Sequence, residues 1–251
     1  MTHPWIIAES TWRTVGTTAY DLAVLPWGAT EAHNFHLPYA TDNYQSDAVA
    51  AEAARIAWGL GTRTAVLPCI PFGVNTGQLD IPFCINMNPS TQALVLADVV
   101  RALEAQGITK LVILNGHGGN DFRQIIRELQ PNTRVFLSAI NWYKVVEPSG
   151  HFSDLGDHAG ELETSVMQHI QPSLVRPLNE AGASQRSSGY WRVNFGRKMC
   201  LKVTSMPWIT SGRYSRSQSV ILRLTDGLLY FVLYPISEAS EEKATGEGSL
   251  G

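Results

Sequence analysis

One apolar segment, residues 108–114, constrains the fold of this chain more than any other feature of its sequence. Five of its seven residues are aliphatic, several of them β-branched, and the last four follow one another without the polar alternation of a half-exposed strand. Runs of this kind are typical of an interior strand in a parallel sheet, whose two faces are both covered by helices. The segment therefore predicts an α/β fold.

The rest of the first 170 residues repeats the alternation of short apolar runs and helical stretches that βα units produce. Apolar runs predict further strands at 22–26, 64–70 and 134–140. Helical spacing predicts helices at 46–58, 90–106, 120–130 and 159–170, with Ser46 and Ser90 capping the first two and Gly107 ending the second. We expect one domain over residues 1–236 with a mainly parallel central sheet, and a disordered tail over 237–251.

Composition supports one domain that is neither exported nor inserted into a membrane. Hydrophobic residues make up 44% of the 251 residues, enough to bury a full core. The longest apolar run, 228–236, is far shorter than the roughly 20 residues of a membrane-spanning helix. The N-terminus lacks a signal-peptide pattern, and Cys69, Cys84 and Cys200 have no disulfide or metal-site spacing. These features predict a soluble cytoplasmic protein with no membrane partner.

Basic residues are concentrated in one stretch, residues 181–225, which holds eight of them and no acidic residue. The remaining chain carries 11 basic and 22 acidic residues. The arginines of the stretch follow no period and form no recognisable motif, which argues against a nucleic-acid partner. Divergence of the lineage is the simpler explanation. A late change of reading frame is the alternative, and it predicts poor packing after about residue 185.

The first polar cluster follows the first predicted strand and contains Glu31, His33 and, a little further on, Asp42. Carboxylates and imidazoles are ligands of Zn²⁺, Mn²⁺ and Fe²⁺. The loop lies at the carboxyl end of a parallel strand, where open α/β sheets place their sites. The alternative interpretation is a solvated polar loop. This interpretation is less favoured if further ligand-type residues follow other strands.

A second cluster follows the strand at 108–114, where His117 stands in a glycine-rich turn. Gly118 and Gly119 let the backbone approach an ion or a substrate closely. A phosphate-binding turn is the alternative, but the sequence lacks the G-x-G-x-x-G and G-K-[ST] patterns. Because parallel strands end at one edge of the sheet, His117 is expected near the first cluster.

The third cluster, residues 157–164, opens the last predicted helix. Asp157 and His158 are adjacent and suggest an acid/base pair. Glu161 is explained by the positive end of the helix dipole. Glu163 then remains as the second carboxylate available to a site.

Taken together, the three clusters resemble the creatininase (creatinine amidohydrolase) family in order and spacing. The motifs are Glu-x-His-x-x-His-Leu-Pro with a following Thr-Asp, then Asn-Gly-His-Gly-Gly-Asn, then Asp-His-Ala-Gly-x-x-Glu-Thr-Ser, within residues 20–182. The resemblance implies a three-layer α/β/α fold and a homo-oligomer such as a hexamer. It also implies metal-dependent attack on a C–N bond of a small-molecule amide.

Roles follow from the resemblance residue by residue. Glu31, His33, Asp42 and His117 match the family's metal ligands, with Asp42 bridging where two ions are present. The implied cofactor is one or two divalent ions per subunit, Zn²⁺ or Mn²⁺, with Fe²⁺ as a further candidate. His158, assisted by the preceding residue Asp157, matches the group that donates a proton to the leaving nitrogen.

The sequence departs from creatinine-hydrolysing members around the second ion and the substrate. Their glutamate ligand two positions beyond the turn histidine is replaced by Gly119, and Glu163 is the predicted substitute. Trp142 matches one of their two substrate tryptophans, whereas Asp154 stands where the other is expected. The segment 72–87 lacks the family's usual histidine and Pro-Gly-Thr sequence, which indicates a changed pocket.

The predicted function is hydrolysis of a small, cyclic, polar amide by metal-activated water, with substrate contacts from the tryptophan, the aspartate and the two glycines of the turn. A non-catalytic α/β binding protein that keeps a structural metal is the first alternative. A phosphate- or nucleotide-binding domain is the second.

Overall fold

The computed structural model of the chain describes residues 3–145, 152 and 158–181, together with the backbone of the strands 218–225 and 228–235. A parallel four-stranded sheet forms its centre, in the order β2-β1-β3-β4. Its strands are β1 Leu22–Trp27, β2 Thr64–Val66, β3 Lys110–Asn115 and β4 Phe136–Asn141. Strands β5 Gln218–Thr225 and β6 Leu228–Pro235 pair antiparallel in a separate sheet.

Helices connect the strands of the central sheet. The described α-helices are α1 Trp12–Gly16, α2 Thr41–Gly59, α3 Pro89–Ala105, α4 Arg123–Leu129 and α5 Glu161–Ile170. Short 3₁₀ turns occur at Ile7–Glu9, Thr76–Gln78, Gln130–Asn132, Trp142–Lys144, Pro172–Leu174 and Leu178–Glu180. None of the helices in the described part of the chain is long and apolar enough to cross a membrane.

The sheet separates two hydrophobic cores. Successive side chains of β1 point to opposite faces, so Ala23 and Leu25 pack into one core and Val24 into the other. The first core is closed by α3 and α4, and the second by α2, with α5 packed against it. The predicted three-layer α/β/α fold with a parallel central sheet is therefore confirmed.

Strand β3 and the end of α3 lie close to their predicted places. Gly107 adopts φ 81° just after α3, the left-handed conformation that glycine supplies at helix ends. The strand predicted at 64–70 is shorter, because pairing with β1 stops at Val66 and returns only as a single bridge between Ile70 and Trp27.

The predicted N-cap of α2, Ser46, is wrong. The helix begins five residues earlier, where the amide and hydroxyl of Thr41 both donate to the Pro38 carbonyl, at 3.1 and 2.7 Å. Ser46 lies buried inside the helix instead. Asp42 consequently occupies the first turn of α2 and not a loop.

Three strand ends are aligned at the edge of the sheet that carries the polar clusters. Trp27 of β1 pairs in register with Asn115 of β3, which pairs with Asn141 of β4. The loops that follow these strands therefore start side by side. The basic stretch after residue 181 and the tail 237–251 lie almost entirely outside the described residues, so the expectations for them stay predictions.

Candidate metal centre

Two glycines let the first turn of α2 enter between the strand ends. A Cβ atom on Gly28, just after β1, would lie 2.2 Å from Asn43 Oδ1, and one on Gly116, just after β3, would lie 2.0 Å from Ser46 Oγ. Both contacts are too close for any side chain. Asp42, in this first turn, is thereby carried under the edge of the sheet and is 1% exposed.

The first group of potential ligands is Glu31, Asp42 and His117, all buried. Nδ1 of His117 lies 2.9 Å from Glu31 Oε1 and 3.0 Å from Asp42 Oδ2. One ligand comes from the loop after β1, one from α2 and one from the loop after β3. The group exists only because these three segments converge.

The other ring nitrogen of His117 is fixed by the backbone. Its Nε2–H donates to the Val74 carbonyl over 3.0 Å, which directs Nδ1 toward the two carboxylates. A Cβ atom on Gly119 would lie 2.2 Å from that same carbonyl oxygen. Glycine at 119 is thus what allows Val74 to reach the ring, and a longer side chain has no room in this arrangement.

Side-chain amides hold the turn that carries His117. Asn115 Oδ1 accepts from the His117 amide at 3.2 Å, and Asn115 Nδ2 donates to the His117 carbonyl at 2.9 Å. Asn120 Nδ2 donates to Asn115 Oδ1 at 3.0 Å, while its own Oδ1 accepts from Gln92 and from the Val74 amide. This buried amide network fixes the position of His117 relative to β3.

The second group is His33, Asp42 and Glu163. Nε2 of His33 lies 2.9 Å from Asp42 Oδ1 and 3.8 Å from Glu163 Oε1. Its Nδ1–H donates to the Glu31 carbonyl at 3.2 Å, so Nε2 is the nitrogen that faces the carboxylates. Asp42 therefore turns one oxygen to each group, Oδ1 toward His33 and Oδ2 toward His117.

Three contacts anchor the first turn of α5, which carries Glu163. The Ala159 amide donates to the Glu163 carboxylate in a short hydrogen bond, and Gln45 Nε2 donates to the Glu163 carbonyl at 2.9 Å. His36 Nε2 and Thr164 Oγ1 are hydrogen-bonded at 2.9 Å. His36, the second histidine of the first motif, thus connects the loop after β1 to α5. It belongs to neither of these two ligand groups.

His158 lies at the open side of the site. Its Nε2–H donates to the Ala32 carbonyl at 2.7 Å, and its ring packs on His33 with the centroids 4.3 Å apart. Nδ1 lies 3.9 Å from Glu31 Oε1, and the side chain is 34% exposed. With Glu31 and His33 it forms a third group close enough to share an ion.

The acidic and basic side chains of the site compensate one another's charges. Burial opposes protonation of His33, but Asp42, Glu163 and Glu31 outweigh it and raise the pKa of His33 to about 10. Burial likewise opposes protonation of His117, but hydrogen bonds and charges from Asp42 and Glu31 raise its pKa to about 11. Asp42 is buried, yet the two rings hold the pKa of its carboxyl well below the usual range.

This donor set fits a divalent cation. Carboxylate oxygens and imidazole nitrogens are the ligands that Zn²⁺ and Mn²⁺ take in proteins. Buried carboxylates are costly unless a cation compensates them. The protons of His33 and His117 supply that charge, and an ion at each group would take their place.

Two residues near the ligands were not predicted from the sequence. Gln78 Nε2 donates to Glu31 Oε2 at 2.7 Å, from the 3₁₀ turn Thr76–Gln78. Burial, together with the charges of Asp42 and Glu163, raises the pKa of Tyr143 to about 12. The position of Tyr143 just beyond β4, at the edge that carries the clusters, is the sequence signal that could have indicated it.

The predicted substrate residues lie in different surroundings. Gly118 and Gly119 are exposed, and the atom nearest to a Cβ on Gly118 would be the Tyr143 hydroxyl oxygen, 3.9 Å away. Trp142 is 5% exposed and packs in the core beneath α2, so its contact with substrate stays a prediction. Asp154 and Asp157 lie outside the described residues.

The family model for creatinine amidohydrolase matches residues 8–216 of the chain. The chain belongs to the creatininase family. The match extends past residue 182, the end of the range over which the motifs indicated the resemblance. Membership assigns the chain to the metal-dependent amidohydrolases.

Curated relatives have two different activities in their names. The mycofactocin precursor peptide peptidase of Mycolicibacterium smegmatis is 28% identical over 179 residues, which are 67% of this chain and 69% of its own length. The same peptidase of Mycobacterium ulcerans is 30% identical over 158 residues, and the match spans 59% of its length. The creatinine amidohydrolase of Pseudomonas putida is 28% identical over 194 residues, 67% of this chain and 73% of its own.

Solved structures of creatininases have a fold similar to that of this chain. A protein of Bacteroides fragilis NCTC 9343, described as a creatinine amidohydrolase, is 47% identical and covers 73% of this chain and 74% of its own, with a TM-score of 0.69. A mutant creatininase of the zinc-zinc type is 25% identical over 70% of this chain and 75% of its own, with a TM-score of 0.57. A manganese creatininase at 24% identity and a TM-score of 0.59 shows the fold alone.

Proposed function

We propose that this protein hydrolyses the amide C–N bond of a small, polar, cyclic substrate at a centre of two divalent ions. The observation that carries the proposal is the arrangement of Asp42, whose two carboxylate oxygens face two different groups of ligand-type residues. A carboxylate shared in this way is suited to bridge two ions. The peptidase and creatinine amidohydrolase relatives both carry amide-hydrolysing activities in their names, which supports the reaction class.

Each ion would be held by a carboxylate-rich set of three side chains. Glu31, Asp42 and His117 would hold the first, and His33, Asp42 and Glu163 the second. Zn²⁺ or Mn²⁺ suits these donors, and one solved mutant creatininase that the chain resembles is named as the zinc-zinc type. When bound, such ions lower the pKa of coordinated water toward about 7 and polarise the carbonyl group under attack.

His158 is the proton donor to the leaving nitrogen in this proposal. Its Nε2–H donates to the Ala32 carbonyl, so Nδ1 is the ring nitrogen left to face the ligand residues, 3.9 Å from Glu31 Oε1. It is more exposed than the other histidines of the site, so water can reach its ring. Asp157 remains its predicted assistant.

Tyr143 and the turn glycines would form the substrate side of the site. The hydroxyl of Tyr143 is a donor held in the field of Asp42 and Glu163, and burial keeps it protonated at neutral pH. Gly118 leaves open space beside that hydroxyl. A carbonyl oxygen of the substrate is the natural partner of a phenol donor at this position.

The alternatives fare differently. A phosphate or nucleotide would meet the carboxylates of Glu31, Asp42 and Glu163 beside the glycine turn, and like charges disfavour that ligand. A non-catalytic binding protein would have the same site geometry, so only an activity assay distinguishes it from an enzyme. Cytoplasmic location and a homo-oligomer, hexameric by resemblance, stay predictions.

The test is metal analysis of freshly purified protein followed by hydrolysis assays on a panel of cyclic amides and short peptides. Activity should vanish with a chelator and return with Zn²⁺ or Mn²⁺. His117→Ala should lose both metal and activity, whereas His169→Ala, on the exposed side of α5, should lose neither. Bound metal without activity on any amide would favour the binding protein, and equal metal affinity in His117→Ala would contradict the proposed site.

A further inference from the structure

A loop outside the three motifs reaches the metal centre. Gln78 donates from Nε2 to Glu31 Oε2 over 2.7 Å, and the two residues are 47 positions apart in the sequence. The other oxygen of the same carboxylate, Oε1, lies 2.9 Å from His117 Nδ1. One oxygen of Glu31 is therefore occupied by an amide, and the second is left to face the first ligand group.

Gln78 is itself held by a thiol. Cys84 Sγ lies 3.2 Å from Gln78 Oε1, and the Ala32 amide donates to the same sulfur over 3.2 Å. Since the sulfur already accepts from Ala32, its S–H is the group that donates to Gln78. Burial raises the pKa of the Cys84 thiol, so the proton is present at neutral pH.

The direction of the amide follows from this chain of contacts. A thiol proton can be accepted by the carbonyl oxygen of Gln78 but not by its NH₂ group. The NH₂ group must then point to the Glu31 carboxylate, which can only accept. The polarity of each hydrogen bond is fixed by the one before it, starting from the backbone of Ala32.

We propose that Gln78 and Cys84 are positioning residues that present Glu31 to the first ion through Oε1 alone. The proposal rests on the proposed function, in which Glu31 is a metal ligand. Hydrogen bonds from outside the ligand set hold ligating side chains in place, and losing one costs roughly 10- to 100-fold in metal affinity. Without Gln78 the carboxylate is free to rotate, and its orientation must be fixed each time an ion binds.

The experiment measures the zinc affinity of the full chain by competition with a chromophoric chelator. Gln78→Ala should weaken binding of the ion that depends on Glu31 by roughly 10- to 100-fold. Gln78→Glu should do the same, because it sets a second carboxylate against Glu31. Gln168→Ala, an exposed glutamine on α5, is the matched control and should leave affinity unchanged.

The thiol is tested by comparing two replacements. Cys84→Ser keeps a donor and an acceptor, so it should retain more zinc affinity than Cys84→Ala, which keeps neither. The metal-free forms of these variants should unfold at similar temperatures. Equal affinity in Cys84→Ser and Cys84→Ala would overturn the part assigned to Cys84.

Glu31→Gln separates failure of the inference from failure of the proposed function. If Glu31→Gln leaves zinc affinity unchanged, the ligand assignment fails and the inference fails with it. If Glu31→Gln weakens zinc binding but Gln78→Ala does not, only the inference is overturned. The double variant should bind zinc no more weakly than Glu31→Gln alone, and additive losses would indicate a general structural effect instead.

Discussion

The two ligand groups share Asp42 but are built on different foundations. The group around His117 is carried by β1, β3 and α2, whose close approach depends on glycines at the strand ends, and its three side chains are buried. The group around His33 needs Glu163 from α5, whose side chain is 20% exposed. The first group is therefore fixed by the sheet and the helix α2 packed under its edge, whereas the second also depends on the docking of α5.

Asp42→Asn should have the largest effect on metal binding, because it removes the negative charge of the carboxylate that both groups share. Both ions should be lost, and the loss of affinity should exceed the roughly 10- to 100-fold typical of an outer hydrogen-bonding partner. Amide hydrolysis should fall to the level of the chelated protein. Metal analysis and activity assays on the same preparation check this, and retention of one tightly bound ion would show that the groups are independent.

Glu163→Gln should break only the second group. The protein is expected to keep one zinc ion at Glu31, Asp42 and His117 and to lose the other, with a large fall in kcat. Glu128→Gln, at an exposed glutamate of α4, is the control and should keep both ions. Zinc stoichiometry after dialysis is the measurement, and loss of both ions would contradict a sheet-based first site.

Gly119→Ala should disturb the first group through the backbone. The added Cβ would press on the Val74 carbonyl that holds His117, and overpacking of this kind costs about 1–3 kcal/mol. Gly118→Ala meets no atom closer than 3.9 Å and should be tolerated. Thermal unfolding and zinc affinity of the two variants should differ, and equal behaviour would remove the assigned role of Gly119.

Metal uptake should release protons, because the pKa values of His33 and His117 are raised to about 10 and 11 in the metal-free protein. At neutral pH both rings are protonated, and each ligand nitrogen must lose its proton to bind an ion. Zinc affinity should therefore fall as the pH is lowered. Calorimetry in two buffers of different ionisation enthalpy measures the release, and the expected value is close to one proton for each ring.

The same pKa shifts set the stability of the metal-free fold. A histidine whose pKa is raised above its ordinary value of 6.5 contributes stability that is complete below that pH. The contribution is lost as the pH rises through about 10 for His33 and about 11 for His117. Unfolding of the chelated protein across this range should show the decline, and a flat profile would contradict the ion pairs.

Tyr143→Phe should have the smallest effect. It removes one hydrogen-bond donor and leaves both ligand groups intact, so zinc content should not change. A net hydrogen bond contributes about 1 kcal/mol, which corresponds to a loss of about fivefold in kcat/KM. Activity equal to that of the unaltered protein would exclude contact between Tyr143 and the reacting carbonyl.

Much of the fold was determined by the sequence alone. The continuous apolar segment before Asn115 predicts an interior parallel strand, and the order of motifs along the chain predicts the family. The start of α2 was not predictable from the same patterns. Ser46 has the composition of a cap, but Thr41 forms the bonds that begin the helix, because the preceding loop brings the Pro38 carbonyl within reach.

For the site, the sequence determined which residue types follow the strands, and the parallel sheet then brings Glu31 and His117 together at one edge. The orientation of each side chain could not be predicted from the sequence, because it depends on contacts between distant segments. Gln78 meets Glu31 across 47 residues and Gln45 meets the Glu163 carbonyl across 118 residues, and contacts of this length leave no periodic pattern. From the sequence, Gly119 was interpreted as the loss of a metal ligand. In the folded chain, the absence of a side chain at Gly119 leaves room for the Val74 carbonyl to contact His117. Local patterns arise from neighbours along the chain, but hydrogen-bond direction arises from neighbours in space.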